Sequence, residues 1–483
     1  MKRRALSSII LVLAASVSAC GGGGSGSGND TITVPPTPPA PPPPTSTCSL
    51  LNRQNFAASV LNEWYLFPET LPTTLSPAAY STVNEYINAL TATARGQGRD
   101  RYFTYITSIQ EENAYFSSGA TAGFGLRLSY QGTRLFVIEA FEGAPALASG
   151  IDRGTEILGI GTDSSNIQLV SDIMATQGSG GVSSALGPNT VGTSRVLRIT
   201  DATGTRNVTV AKAEYEVRPL SSRYGVKIID NGGGQRVGYI NMRTFISTAD
   251  NQLRTAFLDF RTQGITNFVI DFRYNGGGLV STAEVMGDLL GGNRSSSDIF
   301  SVTRFRASKS VPPNDYTETR RFAPQTQSVS PVKIAFISTK ATASASELVA
   351  AAFAPFLGAN AALVGSNSFG KPVGQIGLDL AACDDRIRVV AFAKENAAGQ
   401  GDYFSGLAGT MRTTCAAADD ITRPLGDPQE ASLRAALDFV AGRSCTPIAL
   451  AQSAQSTASA NERRVLPAPT NASTAQREVP GLF

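Results

Sequence analysis

Three kinds of hydrophobic spacing follow one another along the chain. Over residues 48–118, Phe56, Val60, Trp64 and Phe67 fall at steps of four, four and three, and Tyr80, Val83, Tyr86, Ile87 and Leu90 repeat the pattern. That spacing predicts helices that each bury one face. Over 119–219 the apolar runs shorten to strand length between glycines, at 123–128, 135–138, 157–160 and 195–199, which predicts a β-rich domain. Over 220–445 the apolar runs at 236–240, 267–271 and 332–337 are continuous and alternate with helix-like stretches at 251–261 and 345–356. Strands buried on both faces need continuous runs, so this part reads as α/β layers on a largely parallel sheet. The polar stretch 294–330 reads as a strand-bearing excursion.

At both ends composition replaces pattern. Lys2, Arg3 and Arg4 precede an apolar run at 5–17, which predicts an export signal at 1–19 that is too short to span a bilayer comfortably. It closes on Val17-Ser18-Ala19-Cys20, a pattern similar to the bacterial lipobox, in which the cysteine carries lipid. Residues 20–47 are a Gly/Ser run and then a proline stretch, which predicts a stiff tether. Gly21 lacks the aspartate associated with inner-membrane retention. The expected location is therefore the bacterial cell envelope outside the cytoplasm, in the periplasm and anchored to the outer membrane. Residues 446–483 are rich in Ala, Ser, Pro and Arg, the composition of a disordered tail, although Pro480-Gly481-Leu482-Phe483 is apolar enough to enter a peptide groove.

Five cysteines are an odd number for an exported chain. With Cys20 given to lipid, Cys48, Cys383, Cys415 and Cys445 remain, and four cysteines allow three pairings. Position along the chain favours Cys383 with Cys415 and Cys48 with Cys445.

The 483 residues carry a formal charge of only +3 with no basic block beside aromatic residues, so no nucleic-acid surface is expected. No metal site or cofactor is expected either: Asp384-Asp385 and Asp419-Asp420 read as solvated loop pairs, and the glycine runs lack the lysine and helix of a phosphate loop. The complete absence of histidine excludes a Ser-His-Asp hydrolase. A serine nucleophile in this chain needs a base of another type, and lysine can serve when burial makes it neutral. An ordinary lysine titrates near 10.4, and bringing it to about 7 to 8 costs roughly 3–5 kcal/mol. Burial without a carboxylate partner supplies that. Lys371 fits, because Phe369, Gly370, Pro372, Val373 and Gly374 around it carry no charge.

Two resemblances give these residues an order. Phe124-Gly125-Leu126, then 142–146, 149–151 and 153–158, resemble a PDZ domain, whose loop N–H groups hold a peptide C-terminus during strand addition. Here Phe124, Gly125 and Leu126 would form that loop. Gly238-Tyr239-Ile240 with Phe245, then 271–278, then Ser344-Ala345-Ser346-Glu347, then Phe369-Gly370-Lys371 with Gln375, resemble the C-terminal processing peptidases. The resemblance implies a multidomain α/β protein: an N-terminal helical segment, a PDZ-like β-rich domain and a peptidase core of the ClpP/crotonase kind. It implies Ser344 as nucleophile, Lys371 as base 27 residues later, Gln375 as the residue orienting Lys371, and the N–H groups of Gly277 and Ala345 as oxyanion hole. Expected partners are proteins or peptides with unstructured apolar C-termini, and the membrane through the lipid anchor. The alternative is a catalytically inactive peptide- or ligand-binding protein on the same fold.

Overall fold

The computed structural model describes residues 47–449 and 462–483. The export signal, Cys20 and all of the tether before Thr47 lie outside the described residues. No described helix is long and apolar enough to cross a membrane.

The site is built on a six-stranded sheet in the order Val226–Asp230, Arg236–Asn241, Asn267–Asp271, Lys333–Ser338, Ala361–Gly365 and Thr413–Ala416. The first pair is antiparallel and the other four are parallel. Helices Ala249–Thr262, Val280–Leu290 and Ala345–Leu357 cover one face and Ala431–Val440 the other. This explains the continuous apolar runs, since Phe268, Val269 and Ile270 are each fully buried. The helix Ala345–Leu357 is itself buried from Ala345 through Phe353, which suits its alanine-rich sequence.

A second, antiparallel sheet joins Tyr105–Ser108, Asp385–Glu395, Ile299–Phe305 and Glu318–Arg321, with Val373–Leu380 also paired to Asp385–Glu395. Its strands Ile299–Phe305 and Glu318–Arg321 belong to the polar excursion. The helix Leu50–Trp64 packs on this sheet through Ala57, Val60 and Leu61.

A third sheet of seven strands lies within 119–219 except for one short strand, Arg464–Val465. That strand comes from the segment expected to be disordered. The correction extends through residues 462–483: Arg464–Val465 pairs with Leu126–Gln131, Thr474–Glu478 is helical, and Leu466, Val479, Leu482 and Phe483 are buried. Composition judges a segment by its own residues. Here order comes from an open strand edge that needs partners and from apolar surface on other elements.

The disulfide pairing also differs from expectation. Cys48 bonds Cys383 and Cys415 bonds Cys445, with Cα separations of 5.4 and 5.3 Å. Docking of the first helix on the second sheet, reinforced by the Arg53–Asp385 ion pair, carries Cys48 to the turn Ala381–Cys383. Cys445 follows the helix Ala431–Val440 and returns beside Thr413–Ala416, where Ala416 N donates to Thr446 O at 2.7 Å. Chain position carried neither approach.

Candidate active site

Three loops at the carboxyl ends of parallel strands meet at the site. The first is the turn after Asn267–Asp271. Asp271 accepts from Arg273 N and Nε at 3.1 and 2.9 Å and from the Tyr239 hydroxyl at 2.8 Å, while Arg273 reaches Glu430 at 2.8 Å. All four groups are buried, so the start of the turn is held by charge pairs and hydrogen bonds out of water. Its far side is held by Phe245, whose N–H donates to Gly277 O and whose carbonyl accepts from Leu279 N, at 2.9 and 2.7 Å. Gly277 has φ +117, and a Cβ there would stand 2.8 Å from Ser344 Cβ. Only glycine allows that approach.

The second loop follows Lys333–Ser338 and delivers Ser344 to the start of the helix Ala345–Leu357. Ser344 has φ +58 and ψ −115, which a non-glycine residue holds at a cost of about 1–3 kcal/mol. Ala343 N donates to Asn275 O at 3.0 Å and Thr342 Oγ1 to Phe272 O at 2.8 Å; these bonds tie the strained residue to the first turn. Ala345 N lies 3.2 Å from the Cβ position at Gly277, so the two expected oxyanion donors are neighbours. Gly277 N–H, however, donates to Asn275 Oδ1 at 2.9 Å.

The third loop carries Lys371. Its ammonium donates to Gln375 Oε1 at 2.7 Å and lies 4.7 Å from the centre of the Phe103 ring. Gln375 in turn donates to Phe103 O at 2.5 Å. Burial lowers the Lys371 pKa, with Arg388 acting in the same direction; Glu478, Asp100 and Glu347 act against it.

Glu347 unites the second and third loops. Its carboxylate, fully buried, accepts from Ser344 N at 2.9 Å, Lys371 N at 2.8 Å, Gly370 N at 2.6 Å and Ser368 Oγ at 2.6 Å. Burial raises its pKa while the four donors pull the other way. One side chain thus fixes the backbones of Ser344 and Lys371 relative to each other. Half of this was open to sequence reasoning, because Ser344 and Glu347 have the S-x-x-E spacing of a capping box. Arg101, which sequence reasoning also missed, donates to Phe369 O at 3.1 Å, stacks on the Phe369 ring at 4.0 Å and contacts Gly370 O.

In the β-rich unit, Gly125 N and Leu126 N both donate to Phe483 O, at 2.9 and 3.1 Å, and Phe483 N donates to Leu126 O at 2.8 Å. Phe124 serves differently from expectation: its ring is buried in the apolar cluster and its carbonyl accepts from Ala146 N at 3.0 Å. Gly125 and Leu126 supply the donor pair.

Residues 236–404 match the model of peptidase family S41. The carboxyl-terminal-processing protease of Picosynechococcus sp. (strain ATCC 27264 / PCC 7002 / PR-6) is 27% identical over 258 residues, 53% of this chain and 55% of that protein. The chloroplastic carboxyl-terminal-processing peptidase 2 of Arabidopsis thaliana is 30% identical over 168 residues, 34% of this chain and 31% of that protein. In these matches the chain spans about half or less of the relatives' own length. A solved structure from Bacteroides fragilis NCTC 9343, assigned to the S41 proteases, superposes with a TM-score of 0.61 at 20% identity, over 80% of this chain and 97% of that one. That last likeness speaks for the fold. The stretch that matches the S41 family model takes in the strand of Gly238, the glycine turn, Ser344 and Lys371 together, about a third of the chain.

Proposed function

We propose that this protein is a serine endopeptidase that cuts proteins or peptides near their C-termini through an acyl-enzyme, with Ser344 and Lys371 as its dyad. The observation that carries the reading is the Glu347 carboxylate, which gathers the N–H groups of Ser344 and Lys371 onto one acceptor and so makes the two residues one unit.

In the reaction Ser344 Oγ attacks the scissile carbonyl carbon while neutral Lys371 Nζ takes its proton. The carbonyl oxygen becomes an oxyanion, held by Ala345 N–H and by Gly277 N–H once the latter leaves Asn275 Oδ1. As the carbon–nitrogen bond breaks, the Lys371 ammonium returns the proton to the departing amine. Lys371, neutral again, then takes a proton from the water that attacks the acyl ester, and returns it to Ser344 Oγ. Gln375 orients the lysine. Residues 119–219 act as a PDZ-like module whose donor pair at Gly125 and Leu126 receives an apolar peptide end by strand addition. Export and lipidation at Cys20 would place the enzyme in the cell envelope.

Labelling with an acylating serine probe tests the reading. Ser344 should carry the adduct, and Ser344→Ala or Lys371→Ala should each slow hydrolysis of an unstructured substrate with an apolar C-terminus by at least about a thousandfold. A Ser344 that takes no label under any condition, in a chain that binds peptides, would favour the inactive binding protein instead.

A further inference from the structure

The segment 473–483 crosses the cleft and then enters the strand edge. It starts in a capping box between Ser473 and Gln476, turns through the helix Thr474–Glu478, and is anchored where Thr474 N donates to the Glu111 carboxylate. Glu478 follows. Its carboxyl accepts from the Tyr105 hydroxyl at 3.4 Å and faces Lys371 and Arg388. Its carbonyl oxygen lies 2.6 Å from where a Cβ on Gly276 would stand, and Pro480 Cδ lies 2.9 Å from the same point. A cavity of about 300 Å³ remains between this segment and Phe103, Phe369 and Lys371. Beyond it, Gly481 O accepts from Leu128 N at 2.7 Å, Leu482 bridges Arg127, and the buried Phe483 pairs with Leu126.

Recognition edge and cleft are thus filled by one segment, and its form is wrong for a substrate. An acyl-transfer substrate presents an extended carbonyl to the nucleophile with its oxygen between the oxyanion donors. Here residues 474–478 are helical, Gln476 Nε2 ties back to Leu482 O at 3.1 Å, and Pro480 has no N–H to offer. The oxyanion donor beneath it is at rest, because Gly277 N–H is held by Asn275 Oδ1. Glu478 acts to raise the pKa of Lys371 against the burial that lowers it, and a protonated lysine cannot act as base.

We propose that segment 473–483 is a resident inhibitor in cis, covering Lys371 and Gly276 through Glu478 and Pro480 and occupying the edge at residues 125–128, until an extended apolar peptide adds to that edge and displaces it. The inference rests on the peptidase reading above. Three forms test it: the full chain, a chain ending at Asn471, and Gly481→Val. Gly481 has φ +80 and a Cβ there would stand 2.7 Å from Leu128 O, so the valine unseats the segment if the shorter chain fails to fold. The probes are an unstructured protein substrate and a labelled synthetic peptide of the sequence 478–483.

A cover seated nine-tenths of the time leaves about a tenth of the activity. Both altered forms should therefore hydrolyse at least about tenfold faster than the full chain, bind the peptide that the full chain excludes, and slow again when it is added. Ser344-dependent hydrolysis that is equally fast in all three forms would overturn the inhibitor and leave the peptidase intact. Peptide binding gained without hydrolysis in any form would overturn the peptidase reading and, with it, the inhibitory role, leaving 473–483 as the occupant of a binding protein's groove.

Discussion

The turns that carry Ser344 and Lys371 and the segment that covers them are held by opposite kinds of bonding. In the turns, one buried carboxylate accepts four hydrogen bonds, and Arg273 sits between Asp271 and Glu430 with no exposure to water. None of these groups can let go without leaving a charge or a donor unpaired in the interior, a cost of about 1–3 kcal/mol for each neutral group and more for a charged one. At the strand edge the covering segment is held by backbone strand addition at Leu126 and Leu128 and by the burial of Val479, Leu482 and Phe483. Backbone bonds are indifferent to sequence, and an apolar pocket accepts many apolar side chains. A competing peptide can reproduce everything the segment does there, whereas nothing from outside can replace Glu347. Chemistry that needs fixed geometry stands on the first kind of bonding, and recognition that must be exchangeable stands on the second.

The largest break in this contrast comes from Glu347→Ala, which strands four donors at the hub. Stability should fall by about 3–5 kcal/mol and hydrolysis should be lost. Glu347→Gln keeps an acceptor and the volume, so it should lose less of both. Chemical denaturation followed through Trp64, the single tryptophan, reads the stability. A Glu347→Ala enzyme that is stable and active would show that the two loops are held by other means.

A smaller effect separates two leucines of nearly equal burial, Leu348 on the hub helix and Leu482 in the cover, 5% and 2% exposed. Leu348→Ala should cost about 2–5 kcal/mol in global unfolding. Leu482→Ala should cost clearly less, because the segment can detach while the rest stays folded, and its loss is capped by the free energy of detachment. Amide exchange in residues 474–483 should quicken in this variant while the sheet stays protected. Equal losses would make the segment part of the core and argue against a displaceable cover.

What could be read from the sequence divides along the same line. The parallel strands announced themselves because burial on both faces leaves no room for alternation, and Ser344, Lys371, Gln375 and Gly277 were singled out because their residue types stand in the order that resembles the C-terminal processing peptidases; the structure brings them together, and the labelling experiment tests their roles. Glu347 was half visible: its bond to Ser344 N is local, but its bonds to Gly370 and Lys371 cross more than 20 residues. The cysteine pairing and the docking of residues 462–483 were invisible for one reason. Both depend on surfaces contributed by elements far away in sequence, such as the sheet that receives Cys48 and the strand edge that receives Phe483. An Ala- and Pro-rich composition carries no trace of an edge waiting more than 300 residues earlier.

The finest test uses the charge that the cover brings to the lysine. As the proposed base, Lys371 must be neutral, so on that reading hydrolysis should rise with pH through its pKa. Burial lowers that pKa and Arg388 adds to the effect, while Glu478, Asp100 and Glu347 raise it. Glu478→Gln removes one raising group, so the Lys371 pKa falls and the ascending limb moves to lower pH. The limb of kcat/KM reports the free enzyme and that of kcat the substrate complex. If substrate displaces the segment, Glu478 is near Lys371 only in the free enzyme, and the variant should shift the limb of kcat/KM while leaving that of kcat in place. A shift in both would mean that Glu478 stays beside the lysine during turnover, as a fixed part of the site. No shift in either would mean that the segment acts by bulk alone, with the carboxyl uncharged where it faces Lys371.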